Sequence, residues 1–142
     1  MNDQPTTHKF VAVLNKKIET GKLMNALGHM SVGLGGSYLD KQPLRLGVYT
    51  DADGSNHPNI SDNPFIILSA DNSNKIRTLR SILIEQNIPF TDFTSTMTVG
   101  TFVEQQQRTK ETPELGLEYY GICFFGDKDK LSELTKKFSL WR

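Results

Sequence analysis

The stretch "KFVAVLNKKIETGKLMNALGHMSVGLGG", residues 9–36, places a short apolar segment directly before a segment with helical periodicity. Lys9–Asn15 is short, apolar and bounded by charge, which is typical of a buried strand. Thr20 is expected to be the N-cap of a helix whose apolar residues recur at spacings of four, three and four, namely Leu23, Leu27, Met30 and Leu34. The glycines after Leu34 end that helix. A strand followed by an amphipathic helix predicts an α/β fold.

The rest of the chain repeats this alternation. Further strands are predicted at Leu44–Thr50, Phe65–Ala70, Ile88–Phe93 and Tyr119–Phe125, and "FSLWR" at residues 138–142 is expected to add an edge strand. A helix is predicted to begin with Asn72 or Ser73 as its cap, a second lies within residues 99–110, and a third follows "GDKDK" with Leu131, Leu134 and Phe138 facing inward.

These elements predict one α/β domain. We expect Lys9–Asn15, Phe65–Ala70, Ile88–Phe93 and Tyr119–Phe125 to share a mixed, mostly parallel sheet of about four strands flanked by helices. The Phe65–Ala70 run is unbroken and apolar, so it is predicted to be a central strand. Residues 51–64 are rich in Gly, Pro, Asn and Asp and are predicted to be a loop. Residues 1–7 are predicted to be a flexible tail and residues 8–142 a single domain.

Composition narrows the functional classes. The chain has 142 residues, with 16 basic and 16 acidic side chains, and this balance disfavours a binder of nucleic acid that depends on phosphate neutralisation. No apolar run approaches the roughly 20 residues that span a bilayer, and the N-terminus is polar, so a cytoplasmic protein without membrane contact is expected. The single Cys123 lies in an apolar strand and is expected to be an inert thiol. No motif calls for a metal or a cofactor.

Two polar stretches carry candidate chemistry. Asn25 and His29 lie three and seven residues after Lys22, so the three residues share one helix face, which is separate from the apolar stripe. Asp92 and Thr96 lie where the Ile88–Phe93 strand ends, and α/β proteins commonly bind ligands at such places. An Asx or Ser/Thr turn needs the same residue types at that place, so the spacing leaves a structural role for Asp92 and Thr96 open.

The two stretches together resemble the class-II, archaeal and eukaryotic type of peptidyl-tRNA hydrolase. The chain looks more like a bacterial family of uncharacterised proteins that shares this fold. "TGKLMNALGHMSVG" is similar to the hydrolase segment in which Gly-Lys opens a helix that later carries His, so Gly21, Lys22 and His29 match. "TDFTSTM" resembles the hydrolase stretch Gln-Asp-Ala-Gly-Arg-Thr-Gln, so Asp92 and Thr96 match. The likeness covers residues 9–141 and implies a mixed sheet flanked by helices.

The resemblance implies a hydrolytic site. Asp92 would activate a water as general base, Lys22 would stabilise negative charge on a substrate carbonyl, and Thr96 would donate a hydrogen bond. His29 would shuttle a proton or support the helix, and Asn25 and Ser95 would join it as binding residues.

Several departures from the hydrolase pattern matter. Ala26 and Met97 replace glutamines, Ser95 replaces the arginine, and residues 99–119 have no clear counterpart. A substrate tRNA is therefore allowed but not favoured. The expected function is hydrolysis of an acyl ester or amide. The alternative is a non-catalytic protein, a candidate homodimer, that binds a small anionic ligand or a protein partner in the same cleft.

Overall fold

The computed structural model describes residues 4–142 and has α/β architecture with four helices. The elements, in chain order, are β1 (His8–Asn15), α1 (Thr20–Gly36), β2 (Leu46–Thr50), β3 (Asn56–Ser61), β4 (Phe65–Ala70), α2 (Ser73–Glu85), β5 (Phe90–Thr94), α3 (Phe102–Lys110), β6 (Tyr119–Asp127), α4 (Lys128–Thr135) and β7 (Ser139–Leu140).

The main sheet is mixed and has the strand order β5-β6-β1-β4-β7. It contains all four strands that were predicted to share one sheet, and the predicted edge strand is β7. The prediction of a mostly parallel sheet is wrong, because only β1 and β4 run parallel, whereas the β1–β6, β5–β6 and β4–β7 pairs are antiparallel. The central strands are β1 and β6, and β4 has only the two-residue β7 on its outer side. An unbroken apolar run indicates that a strand is buried on both faces, but it does not indicate the direction of the strand.

Helices cover both faces of this sheet. The side chains buried beneath α1 include Leu14, Leu23, Met30, Phe93 and Tyr120. The opposite face packs against α2 and α4, through a cluster that includes Val13, Ile76, Leu79, Tyr119 and Leu131. Because successive strand residues point to opposite faces, the neighbours Tyr119 and Tyr120 on β6 belong to different layers.

Gly121 sets how closely α1 approaches β6. A Cβ atom at Gly121 would lie 2.7 Å from Leu14 Cδ2, 3.0 Å from Met30 Cε and 3.1 Å from the Val13 carbonyl oxygen. Only glycine fits between these groups without displacing them. The helix that carries the predicted site residues is therefore seated directly on the central strands.

Two helix starts were predicted, with different outcomes. The Asn72 side chain accepts a hydrogen bond from the Lys75 backbone N–H at 3.1 Å, so of the two predicted caps, Asn72 and Ser73, Asn72 is the cap of α2. Thr20 is the first helical residue of α1, and the N-cap is Glu19, whose side chain makes no capping bond. The predicted N-cap is therefore wrong by one residue, because Thr20 is already helical and the cap position falls on Glu19.

The segment predicted as a loop at residues 51–64 contains a strand. β3 pairs antiparallel with β2 in a separate two-stranded sheet. The turn between them is held by Asp51, whose carboxylate accepts from the backbone N–H groups of Asp53 and Ser55 at 3.0 Å each. β3 has the sequence NHPNIS, so it lacks the apolar alternation that marks a strand, and pairing with β2 supplies the structure.

The other helix and strand boundaries differ less from the predicted ones. β2 begins at Leu46 because residues 42–44 form a 3₁₀ turn, and α4 ends at Thr135, so Phe138 packs against the core from outside the helix. Of the predicted tail, residues 1–3 lie outside the described part, and the Gln4 and Thr7 carbonyls accept hydrogen bonds from Arg45 and Lys128. Within residues 4–142, no helix combines the length and apolar character needed to cross a membrane.

Candidate functional site

Two clefts meet beside α1, and they share His29, Phe93, Met97 and Gln105. The first, here called the Lys22 cleft, has a volume of about 500 Å³ and lies between the first half of α1, the end of β5 and the loop before α3. The second, here called the α3 cleft, has a volume of about 620 Å³ and lies between the second half of α1, β5 and α3. The shared residues make the two clefts parts of one groove.

The helix positions three of the predicted residues at the Lys22 cleft. Lys22, Asn25 and His29 all line it, as their spacing along α1 predicts, whereas the intervening Leu23 and Ala26 are buried. All three side chains belong to exposed residues. The α1 periodicity thus separates a core stripe from a polar stripe that faces the groove.

His29 forms part of the groove wall through an aromatic contact. Its ring stacks on Phe93, with centroids 5.8 Å apart and an interplanar angle of 29°. Phe93 in turn contacts the Tyr120 ring at 5.8 Å. These three rings form a continuous surface where the two clefts meet.

Asp92 lies away from Lys22. On β5, the Thr91 hydroxyl donates to the Met30 carbonyl of α1 at 2.8 Å, so the next side chain points to the opposite face. There the Asp92 carboxylate accepts from Arg80 Nε of α2 at 2.8 Å. Asp92 borders the α3 cleft, but its carboxylate is engaged on the α2 face with only 16% of the side chain exposed. The structure does not bring Asp92 and Lys22 together.

Thr96 is a buried anchor for α3. Its hydroxyl lies 2.7 Å from Thr94 Oγ1 and 2.8 Å from Thr109 Oγ1, and its carbonyl accepts from Arg108 Nη1 at 3.0 Å. Thr96 does not line either cleft. Its contacts explain its position better than a role as a hydrogen-bond donor to a substrate.

Ser95 is likewise held by the backbone. Its N–H donates to the Glu118 carbonyl at 3.0 Å, and its own carbonyl accepts from the Thr98 hydroxyl at 2.7 Å. The turn that contains Ser95 joins β5 to α3 and borders the groove through Met97 and Thr98 rather than through Ser95.

Helix α3 forms the outer wall of the groove. It begins with a capping box between Thr101 and Glu104, after Gly100 with φ +87°. The helix buries none of its residues completely, and Phe102, which lines the α3 cleft, is 72% exposed. This segment was predicted as a helix, and its contribution to the groove is given by the fold, because the hydrolase pattern has no counterpart for it.

Tyr120 is a site residue that sequence reasoning missed. Only 8% of it is exposed, yet it lines the Lys22 cleft. Among residues 4–142 its hydroxyl has no hydrogen-bond partner, and that oxygen is not sealed in the core. The sequence feature that could have identified Tyr120 is the tyrosine pair in "YYGICFF". Because adjacent strand residues point to opposite faces, one phenol must lie on each face of the sheet.

Positive charge borders both ends of the groove. Lys22 lines the first cleft and Lys110, the last residue of α3, lines the second, and neither has an ion-pair partner among the described residues. The one carboxylate residue that borders either cleft is Asp92, which is paired with Arg80. The groove therefore presents cations without compensating anions.

Other reactive groups in the chain lie outside the groove. Burial raises the pKa of the Cys123 thiol to about 12, so the thiolate is not formed near neutral pH. Within residues 4–142, no cluster of three or more His, Cys, Asp or Glu side chains is arranged to hold a metal ion.

Comparison with known proteins identifies the family. A solved structure of a protein of unknown function from Agrobacterium tumefaciens strain C58 is similar to this chain, with a TM-score of 0.81 at 16% identity, over 96% of this chain and 98% of that one. At this identity the likeness concerns the fold. No curated protein matches the chain. The model of the family described as protein of unknown function (DUF2000) matches residues 8–142. The chain therefore belongs to the DUF2000 family.

Proposed function

We propose that this protein binds a small carboxylate-bearing molecule in the Lys22 cleft. The observation that carries the proposal is the Tyr120 hydroxyl, which is carried by a side chain more than nine-tenths buried and has no partner among residues 4–142. Largely buried tyrosines usually place the hydroxyl against a hydrogen-bond partner, and the Tyr120 oxygen, which is not sealed in the core, has none among the described residues. A ligand acceptor in the cleft would supply that partner.

The neighbours of Tyr120 favour an anion as the acceptor. Lys22 contributes an ammonium and Asn25 an amide to the same cleft, and no carboxylate residue lines it. An ammonium has donors only, and a phenol can donate, so a ligand with two acceptor oxygens satisfies both groups. Hydrogen bonds to an ionised carboxylate are also stronger than neutral ones.

The walls of the cleft favour an apolar body on that ligand. Phe93, Met97 and Val99 line it with apolar surface, and His29 extends the Phe93 wall by stacking. Ligand sites commonly combine such apolar walls with a few polar groups that fix orientation. The function supported best is therefore the binding of an amphipathic carboxylate.

Hydrolysis of an acyl ester, on a fold related to class-II peptidyl-tRNA hydrolases, is the second candidate. It is favoured by Lys22 and Tyr120 sharing one cleft, because both could stabilise negative charge on a carbonyl oxygen. It is weakened by the pairing of Asp92 with Arg80 and by the burial of Thr96. A substrate tRNA is not favoured, since the chain has equal numbers of acidic and basic residues.

Calorimetric titration with hexanoate and with hexanamide tests the proposal. The two probes share their apolar chain, and only hexanoate is charged. We expect hexanoate to bind at least about tenfold more tightly, with the preference lost in Lys22→Met and reduced about tenfold in Tyr120→Phe, because a hydrogen bond to a charged group contributes about 1.5–3 kcal/mol. Lys130→Met and Tyr49→Phe remove an exposed lysine and an exposed tyrosine outside the cleft and should leave binding unchanged.

The same variants separate binding from catalysis. Equal affinity for hexanoate and hexanamide, unaffected by Lys22→Met, would refute the proposed binding function. Turnover of 4-nitrophenyl hexanoate that is lost in Lys22→Met and in Asp92→Asn would instead make the protein a hydrolase. Binding of hexanoate without such turnover supports the non-catalytic function.

A further inference from the structure

The groove continues beyond the proposed carboxylate site. His29, Phe93, Met97 and Gln105 line both clefts, so the Lys22 cleft and the α3 cleft adjoin along these side chains. The α3 cleft adds Met30 and Phe102 as apolar lining. A ligand whose head is bound at Lys22 can therefore extend its apolar chain towards α3.

The far end of this path carries a second cation. Lys110 lines the α3 cleft, and no carboxylate among the described residues pairs with it. The acidic residue in the lining of the α3 cleft is Asp92, which is held by Arg80 at 2.8 Å on the other face of β5. Gln106 adds an amide with no described partner to the same rim. The charges at both ends of the path are thus complementary to a ligand that is negative at both ends.

The lining residues of α1 and α3 each extend along their own helix. Lys22 and Met30 are eight residues apart on α1, which corresponds to about 12 Å along the helix axis. Gln105 and Lys110 are five residues apart on α3, or about 7 Å. Because Lys22 and Lys110 lie on different helices and line different clefts, a ligand that contacts both needs an apolar spacer over the side chains that the clefts share.

We propose that the ligand is a long α,ω-dicarboxylate or an acyl chain that ends in a second acidic group. This inference rests on the proposed function, because the first carboxylate occupies the Lys22–Tyr120 site. Lys110 binds the second acidic group, and the wall of Phe93, Met97 and Phe102 covers the spacer. The two lysines are set by different helices, so the affinity has a maximum at one chain length.

Calorimetry with diacids and with monoacids of the same length tests this assignment. Suberate, dodecanedioate and hexadecanedioate are each compared with the corresponding fatty acid, below its micelle concentration. We expect one diacid to bind at least about tenfold more tightly than its monoacid. Lys110→Met removes this preference and leaves the monoacid affinity unchanged, whereas Lys22→Met weakens both ligands. Lys130→Met is the matched control, and far-UV circular dichroism verifies that α3 persists in Lys110→Met.

The outcomes distinguish this inference from the proposed function. Monoacid binding that depends on Lys22, with no diacid preference at any length, overturns the inference and leaves the proposed function intact. A diacid preference that survives Lys110→Met also overturns it. Failure of every acid to bind overturns both.

Discussion

Two adjacent tyrosines on β6 face opposite sides of the sheet and meet opposite environments. On the α2 face, the Tyr119 hydroxyl donates to Glu114 Oε2 at 2.6 Å, and burial together with this hydrogen bond raises the pKa of Tyr119 above its usual range. On the α1 face, the Tyr120 hydroxyl has no partner among the described residues and opens into the Lys22 cleft. Tyr119 thus completes a hydrogen-bond network on the α2 face, whereas the Tyr120 hydroxyl on the α1 face has no described hydrogen-bond partner.

The environment of Tyr119 is a connected set of ion pairs and hydrogen bonds. Arg77 of α2 lies over the Tyr119 ring, 5.3 Å from its centroid, and its Nε donates to Glu114 at 3.0 Å. The same guanidinium donates to the Leu117 carbonyl at 2.5 Å. Arg80 and Asp92 extend the paired charges along the same face of the sheet.

The difference between the two faces separates structural from functional polar groups. A polar group whose partners all come from its own chain stabilises the fold, and its removal leaves an unpaired charge. A polar group that lacks a partner in its own chain but is not sealed in the core costs the fold little and is available to a ligand. Asp92 belongs to the first class although its sequence context suggested catalysis, and Tyr120 belongs to the second although its context suggested core.

Arg77→Met tests the structural face and should have the largest effect. It removes the cation beside Glu114 and a donor to the Leu117 carbonyl, while the side chain of Arg77 is only 12% exposed. We expect the free energy of unfolding in urea to fall by about 3 kcal/mol. Hexanoate affinity should not change, because the Lys22 cleft lies across the sheet.

Arg142→Met is the matched control for Arg77→Met. It removes an exposed arginine at the chain end, and we expect a change within about 0.5 kcal/mol. If Arg77→Met were no more destabilising than Arg142→Met, the α2-face network would not be a stabilising element, and the contrast between the faces would fail.

Much of the fold was predictable because burial leaves a pattern in the sequence. The apolar runs predicted β1, β4, β5 and β6, and the pair Asn72–Ser73 predicted the start of α2. Strand direction was not predictable from these runs, since a strand covered on both faces is apolar whether its neighbours are parallel or antiparallel. β3 was missed because its polar residues owe their conformation to pairing with β2.

The candidate site was predictable only where it lies on one element. Helical spacing placed Lys22, Asn25 and His29 on one face of α1, and the structure places all three at one cleft. The face of the sheet to which Asp92 points depends on the alternation of side chains along β5. Its partner Arg80 lies on another element, α2, twelve residues away in the sequence. To predict Tyr120 as a site residue, one must know which of the two phenols faces α1. That follows from the sheet register and not from composition.

The tyrosine pair gives the most direct test of the comparison. Tyr119→Phe removes a hydrogen bond to a carboxylate, and we expect it to lower the free energy of unfolding by about 2 kcal/mol. Tyr120→Phe removes a hydroxyl that has no partner among the described residues, and we expect a change within about 0.5 kcal/mol in either direction. Urea unfolding of both variants without added ligand measures the difference.

Ligand should narrow the difference in stability between the two variants. Saturating hexanoate raises the apparent stability of a protein that binds it, so Tyr120→Phe should gain less from hexanoate than Tyr119→Phe. Equal destabilisation by the two substitutions without ligand would show that Tyr120 has a hydrogen-bond partner in solution, and the basis for the proposed site would be lost.

The smallest expected effect concerns the acid limb of stability and isolates the Tyr119–Glu114 bond. The Tyr119 hydroxyl and then Arg77 hold the pKa of Glu114 below its ordinary value of 4.5. A depressed pKa in the folded state contributes stability that is fully present above the ordinary value and is lost as the pH falls through the folded value. In Tyr119→Phe, the pKa of Glu114 should rise towards 4.5, and unfolding stability should fall less steeply between about pH 5 and pH 3. An NMR titration of the Glu114 carboxyl carbon measures the shift, with Glu104 as the internal control because its pKa is lowered by Thr101 and not by Tyr119. An unchanged Glu114 pKa in Tyr119→Phe would show that Arg77 alone stabilises this carboxylate, and Tyr119 would then owe its burial to packing rather than to the network.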